Sequence, residues 1–178
     1  MLIKTLISGF GGQGVLMMGY VLAVAGMRDG KNVTFLPTYG AEVRGGTANC
    51  TVAIADEDIA SPVASSPEFV VVMNKPSLLR FQNMVQPGGG LFMNVSMIDC
   101  KPLRGDIEIF EVPANALAKD LGSDRLTNMV MLGAYLRRTC LAPLHLTQKT
   151  IEEIFKPKGT SIIDLNKKAL RVGYDYLS

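Results

Sequence analysis

The sequence has no tryptophan, one histidine (His145) and three cysteines, Cys50, Cys100 and Cys140, none of them in a C-x-x-C pair. A single imidazole excludes a histidine-based metal cluster and leaves a Ser–His–Asp triad one choice of base. No G-x-S-x-G elbow is present, and His145 falls in the proline-containing connector 142–147, so no catalytic residue is assigned to this chain. Widely spaced thiols argue against a disulfide framework, a zinc site or an iron–sulfur cluster held by this chain alone, and they fit a reducing, cytoplasmic setting. Long apolar runs are also missing. The longest, Val15 to Met27, is interrupted by Gly19, Tyr20 and Gly26 and falls short of the roughly 20 residues of a membrane span. The glycine-rich segment GFGGQG breaks the would-be apolar region of a secretory leader, so neither leader nor membrane anchor is expected. Eighteen basic against 16 acidic residues give a net charge of only +2, which is no footprint for a nucleic acid. What remains is a globular composition, 48% hydrophobic and 19% charged over 178 residues, consistent with one domain over residues 1–178.

Along the chain, residues 2–8 read as a buried strand, 9–14 as a glycine turn and 14–28 as a helix whose small residues suit packing on a sheet. Arg28 and Gly30 mark its end. A second strand over 31–36 is ended by Pro37, which completes a βαβ start. Residues 47–55 alternate, with Cys50, Val52 and Ile54 on one face and Asn49 and Thr51 on the other. After an exposed connector at 61–67, the run 69–73 reads as a central parallel strand. A short helix starts at Pro76 and stops at Gly88–Gly90, and strands follow at 91–95 and 107–112. The last third is helical. Leu126, Met129, Val130, Gly133 and Leu136 form one face, Thr147 is placed as a cap, and Ser161 with Asp164 as a capping box. Ile162, Leu165, Ala169, Val172 and Tyr176 then form a stripe. The ten methionines are read as core filling. The expected class is α/β: a single Rossmann-like domain with a largely parallel sheet flanked by helices.

Two segments carry candidate chemistry. Gly9, Gly11, Gly12, Gln13 and Gly14 lie between a strand and a helix, with glycines at the G-x-G-x-x-G positions. Such a turn brings backbone N–H groups to an anion at a positive helix end. Three readings stand: glycines needed for packing, a surface lining a cofactor or partner, and a dinucleotide site. Against the last, no acidic residue occurs over 33–38, and Gln13 is a bulky insert for a pyrophosphate turn. A P-loop fails because Val15 stands where lysine is required. The second segment holds Tyr39, Glu42, Arg44, Gly45 and Gly46, just past the carboxyl end of the second strand. A guanidinium there suits a carboxylate or phosphate, and a site is preferred to a mere exposed ion pair. Asn74 and Asn94 fall at strand ends, where turn chemistry explains them as well as a ligand would.

Taken together, SGFGGQGV at 8–15, TYGAEVRGGTANC at 38–50, SP at 61–62, PGG at 87–89 and NMVMLGA at 128–134 resemble the gamma subunit of 2-oxoacid:ferredoxin oxidoreductases over nearly the whole chain. LMMG and YGAEVRGG are most similar to the 2-oxoglutarate branch, while pyruvate, branched-chain and indolepyruvate branches have similar gamma chains. The resemblance implies oxidative decarboxylation of a 2-oxoacid to acyl-CoA, with electrons passed to ferredoxin by a complex. It implies alpha- and beta-type partner subunits and allows a delta-type one. Thiamine diphosphate and iron–sulfur clusters would sit in those partners and no cofactor in this chain alone, with the gamma unit shaping the coenzyme A side. Outside this resemblance, a stand-alone NAD-binding oxidoreductase and a structural adaptor remain as rivals.

Overall fold

The computed structural model describes residues 1–38 and 47–177. The chain starts with β1 (Leu2–Phe10) and α1 (Val15–Arg28). Helix α1 lies close on the sheet because Gly19 and Gly26 face it: a Cβ at Gly19 would come within 2.5 Å of the Cys50 sulfur, and one at Gly26 within 3.1 Å of Ile54. Gly30, at φ 76°, turns the chain out of the helix. The strands β2 (Asn32–Thr38), β3 (Thr47–Ala55) and β4 (Phe69–Val72) follow, then α2 (Lys75–Phe81), β5 (Gly90–Asn94) and β6 (Glu108–Val112). Helices α3 (Ala114–Asp120), α4 (Thr127–Thr139), α5 (Leu144–Phe155) and α6 (Thr160–Tyr176) complete the chain.

The six strands form one sheet in the order β2-β3-β1-β4-β5-β6. β1, β4, β5 and β6 pair in parallel, whereas β3 runs antiparallel to both β1 and β2. β2 therefore shares the direction of β1, and β3 alone runs against the rest. The expected largely parallel sheet is found, with one difference: the β1–α1–β2 crossover skips a position that β3 then fills. The cause is connection length. Residues 39–46 are too few for a parallel crossover, which takes a dozen or more, so β3 must fold back beside β2. Pro37 does not end β2 but lies within it, on an edge strand where its missing N–H breaks no ladder bond.

One face of the sheet carries the main core. Met18, Leu22, Val52, Val71, Met129, Met131 and Leu132 are wholly buried there, beneath α1, α3, α4, α5 and α6. The wholly buried Tyr135 sits among the Phe69 and Phe92 rings, 5.9 and 5.2 Å away, and its hydroxyl lies 2.6 Å from the Thr5 hydroxyl. The other face has a smaller core, Leu6, Val70, Leu91 and Met93 under Leu78 and Phe81 of α2. Cys50, Val52 and Ile54 point into the main core, as their alternation predicts.

The helical third differs in detail. α5 starts at Leu144, so Thr147 lies inside it and its hydroxyl donates to the Pro143 carbonyl rather than capping. His145 is an exposed member of α5, not of a connector. α6 has Gly159 at its N-cap and no side-chain cap, which leaves Ser161 within its first turn. Its buried face is Asn166, Ala169, Leu170 and Gly173, whereas Ile162 and Tyr176 of the expected stripe are exposed. Backbone contact with α4 sets this rotation. A Cβ at Gly133 would overlap the Leu170 carbonyl oxygen, and one at Gly173 would overlap that of Val130. A pattern of apolar residues cannot reveal a face made of glycine.

Gly173→Ala is expected to lower unfolding stability by about 3 kcal/mol or more, because backbone cannot yield as a side chain does. Gly105→Ala, with nothing within 4 Å of the new methyl, is expected to stay within about 0.5 kcal/mol of the parent. Urea unfolding of both variants checks the contrast.

Candidate functional site

The glycine turn leaves the carboxyl end of β1 and closes with a bond from the Gln13 N–H to the Phe10 carbonyl, 3.1 Å. The Gln13 side chain folds back beneath it. Gln13 Oε1 accepts from the Phe10 N–H at 2.7 Å and from Asn74 Nδ2 at 2.8 Å, and Nε2 donates to the Met73 carbonyl at 3.4 Å. Asn74 caps α2 by accepting from the Ser77 N–H at 2.9 Å. The Met73 carbonyl also accepts from Asn94 Nδ2 at 3.2 Å, and Asn94 accepts from the Ala114 N–H while donating to Asn115. From the far side, Asn128 of α4 donates to the Gly14 carbonyl at 3.1 Å. Neutral amides thus tie together the carboxyl ends of β1, β4 and β5 and the starts of α2, α3 and α4. None of these groups titrates in the ordinary range.

These bonds assign the amides. Gln13 is spent inside the turn, and Asn74 and Asn94 serve as loop ties. The glycines divide. A Cβ at Gly9 would stand 2.8 Å from both Gln13 Oε1 and Val15, so Gly9 is required for packing. Gly14, at φ 73°, is pressed by Asn128, and Gly12 sits at φ 95°. Gly11 has no positive φ, and nothing lies within 4 Å of where its Cβ would be. Helix α1 follows with Gly14 as N-cap, no side-chain cap and no acidic residue in its first turn, so its positive end is not offset locally.

The turn separates two concavities. The larger, about 670 Å³, runs from Gly12, Gly14 and Met17 to Arg125, Lys158 and Phe155 on the opposite wall. That volume lies in the range of small-molecule and cofactor sites. Arg125 sits in the 3₁₀ turn Asp124–Leu126 before α4, and Lys158 in the 3₁₀ turn Lys156–Lys158 before α6. The smaller, about 230 Å³, is lined by Phe10, Gly11, Leu16 and Ala48. Sequence reasoning did not find Arg125 and Lys158, which lie far from the turn in the chain and in no recognisable spacing.

Tyr39, Glu42, Arg44, Gly45 and Gly46 lie outside the described residues. Their flanks are placed: Thr47 pairs with Phe10, and Thr38 and Ser8 both pair with Asn49. Both ends of that segment therefore stand at the same end of the sheet as the glycine turn. Cys50 is no nucleophile, because burial pushes its thiol up to about 12 and its sulfur faces the Val15 carbonyl. Among the described residues, no group of three His, Cys, Asp or Glu stands close enough to hold a metal ion, and no helix is long and apolar enough to cross a membrane.

Gln13→Ala leaves the Phe10 N–H and Asn74 without their acceptor and is expected to cost about 2 kcal/mol. Gln13→Glu keeps that acceptor: its carboxylate would accept from the Phe10 N–H and from Asn74 Nδ2, which lowers the new carboxyl's folded-state value. A lowered acid favours the folded state while ionised, so the deficit of Gln13→Glu relative to the parent is expected to widen as pH falls below about 4. Denaturant unfolding of parent and variant at several pH values checks the sign.

The family model for pyruvate ferredoxin/flavodoxin oxidoreductase matches residues 4–176. The ketoisovalerate oxidoreductase subunit VorA of Methanothermobacter marburgensis is 34% identical over 177 residues, 98% of this chain but 36% of that protein. The chain thus spans about a third of the length of that relative. The 2-oxoglutarate synthase subunit KorC of the same organism is 32% identical, covering 96% of this chain and 94% of KorC. Among solved structures, the pyruvate oxidoreductase subunit PORC of Thermotoga maritima superposes with a TM-score of 0.80 at 31% identity, covering 98% of this chain and 96% of that one. With the fold, the glycine turn and a match over almost the entire length in agreement, the chain belongs to the pyruvate ferredoxin/flavodoxin oxidoreductase family.

Proposed function

We propose that residues 1–178 are the gamma-type subunit of a multisubunit 2-oxoglutarate:ferredoxin oxidoreductase, which decarboxylates the 2-oxoacid oxidatively to acyl-CoA and passes electrons to ferredoxin. The observation that carries this reading is Gly11. The fold requires Gly9 and Gly14, but no contact within the described residues asks for glycine at position 11. A bare backbone there suits close approach by a group from outside the chain. Similarity in length and sequence to KorC supports the 2-oxoglutarate branch. The 34% identity to VorA favours a branched-chain 2-oxoacid as the second reading.

Thiamine diphosphate belongs in this reading to alpha- and beta-type partners, and the iron–sulfur clusters to those or to a delta-type subunit where one is present, since the three cysteines of this chain are separate, one of them buried. Coenzyme A fits what is present. Arg125 and Lys158 supply cationic donors for phosphate, the turn supplies backbone N–H groups, and Met17 and Phe155 give the cleft apolar walls. Bound there, coenzyme A supplies the thiol that receives the acyl group. This chain contributes binding, orientation and exclusion of water from one side. Arg44, with Glu42 orienting its loop, is the further candidate for a coenzyme A phosphate or the substrate carboxylate. The free thiols fit a cytoplasmic location in this reading, with the other subunits rather than nucleic acid or membrane as the partners. The absence of a carboxylate on β2 disfavours the NAD-binding rival, because that group would hold the ribose.

In the assembled complex, Gly11→Ala is expected to leave unfolding stability unchanged and to lower kcat/KM for the 2-oxoacid at least about tenfold, with Arg44→Ala raising the KM for coenzyme A or the oxoacid. The isolated chain is expected to turn over no 2-oxoacid and to show no saturable NAD(H) binding. Comparing kcat/KM for 2-oxoglutarate, 2-oxoisovalerate, pyruvate and indolepyruvate separates the branches. Unchanged kinetics in both variants would remove the two loops from the site.

A further inference from the structure

The polar groups that line the larger cleft divide by whether the chain itself uses them. The Thr127 hydroxyl donates to the Asp124 carbonyl at 2.7 Å, and the Ser123 hydroxyl accepts from the Arg125 N–H at 3.3 Å. Asn128 is engaged at both ends of its amide, donating to the Gly14 carbonyl and accepting from the Met129 N–H. Asn166 of α6 is engaged at one end only. It is 7% exposed, and its Nδ2 donates to the Ile162 carbonyl one turn back at 2.7 Å. That bond fixes which way the amide is turned, because a carbonyl oxygen takes only the nitrogen end. Oδ1 has no partner among the described residues and is not sealed in the interior, so it opens onto the cleft that Asn166 lines. Asn115 of α3 is fixed in the opposite sense. Its Oδ1 accepts from Asn94 Nδ2 at 2.8 Å, and Asn94 is itself held by the Met73 carbonyl and the Ala114 N–H. Nδ2 is the end that Asn115 leaves for the cleft.

The cleft is also graded by charge. Arg125 and Lys158 are exposed and form its mouth, with the Lys158 ammonium 5.2 Å from the centre of the Phe155 ring. Phe155 and Asn166 are buried. A group carried inward past the cations has to be neutral, since an ion taken out of water without a counter-charge is costly. It also has to bring a hydrogen to Asn166, because a buried acceptor that loses water and gains no donor weakens binding. A phosphate or a carboxylate alone fails on both counts: it is charged and has only acceptors to offer.

We propose that Asn166 is a specificity-determining residue of this cleft: its Oδ1 accepts from a neutral N–H of a ligand whose phosphates stay at the mouth on Arg125 and Lys158, while Asn115 donates to an acceptor on the same molecule. The inference rests on the reading that coenzyme A occupies the cleft and adds the direction of entry, neutral part inward and phosphates outward. Coenzyme A carries two kinds of group that meet the requirement, the amino group of its adenine and the amides of its pantetheine arm. Each sets a neutral acceptor close to its hydrogen, a ring nitrogen in one and a carbonyl in the other.

The test is equilibrium binding to the assembled complex, in the absence of oxoacid, of three probes. They are coenzyme A, adenosine bisphosphate (the nucleotide part alone) and etheno-coenzyme A, whose adenine amino group is closed into a ring. Asn166→Leu is expected to weaken coenzyme A about tenfold. If adenine supplies the hydrogen, adenosine bisphosphate weakens equally, and etheno-coenzyme A, already bound less tightly by the parent, does not change. If a pantetheine amide supplies it, etheno-coenzyme A weakens with coenzyme A and adenosine bisphosphate does not change. Either pattern supports the proposal. Equal weakening of all three probes marks a merely structural effect and overturns it, as does no weakening of any. Should Asn166→Leu fail to assemble, Asn166→Ser gives the same comparison, because its hydroxyl can bond back to the Ile162 carbonyl. Arg125→Ala combined with Lys158→Ala is the control. Unchanged coenzyme A binding there places the ligand elsewhere and removes the underlying reading together with this inference. Weakened binding there with Asn166→Leu silent removes this inference alone.

Discussion

The carbonyl of Met73 is the point on which the functional end of the molecule is organised. It closes no helix and continues no strand, yet it accepts from Gln13 and Asn94 at once. Through these two amides the turn after β1, the start of α2 and the start of α3 share one anchor. Asn128 adds α4 from the opposite wall. Parallel sheets place several loops at one end, and each brings backbone groups that must be satisfied away from water. Amide side chains do this with donor and acceptor in one planar group and without charge. A carboxylate or ammonium in the same places would pull the site's geometry into the pH dependence of its own ionisation.

This anchoring explains why a glutamine sits in a turn otherwise made of glycine and phenylalanine. The turn keeps Gly11 and Gly12 bare on the outside by filling its inside with Gln13. The anchored geometry separates glycines that serve the fold from one that does not, a distinction that a count of glycines cannot make. The positive end of α1 is then presented in the same cleft as Arg125 and Lys158 from the far end of the sequence, with Asp124 the one carboxylate in the lining.

Much of the fold was legible because its strands announce themselves. Cys50, Val52 and Ile54 keep a period of two, and the run at 69–73 is the apolar stretch of a doubly covered strand. Those signals are local. The reversed β3 follows from the length of the 39–46 connection rather than from any residue in it. The face of α6 was misjudged because its contact with α4 is backbone on backbone at Gly133 and Gly173, where apolar periodicity has nothing to report. The site was half legible. The glycine turn carries its own signature, whereas Arg125 and Lys158 acquire meaning only when α4 and α6 bring them opposite it. Asn74, Asn94 and Asn128 are ordinary turn residues by sequence and become a clamp only in three dimensions.

The glycine crossing also determines what lies beneath the cleft. With no side chains between them at Gly133 and Gly173, α4 and α6 lack the layer over which packed helices slide, so they form a stiff floor. Two single-turn segments lead into those helices, Asp124–Leu126 and Lys156–Lys158. These are also the segments that carry Arg125 and Lys158. The positive charges therefore ride on the turns that lead into this floor rather than on the helices that form it.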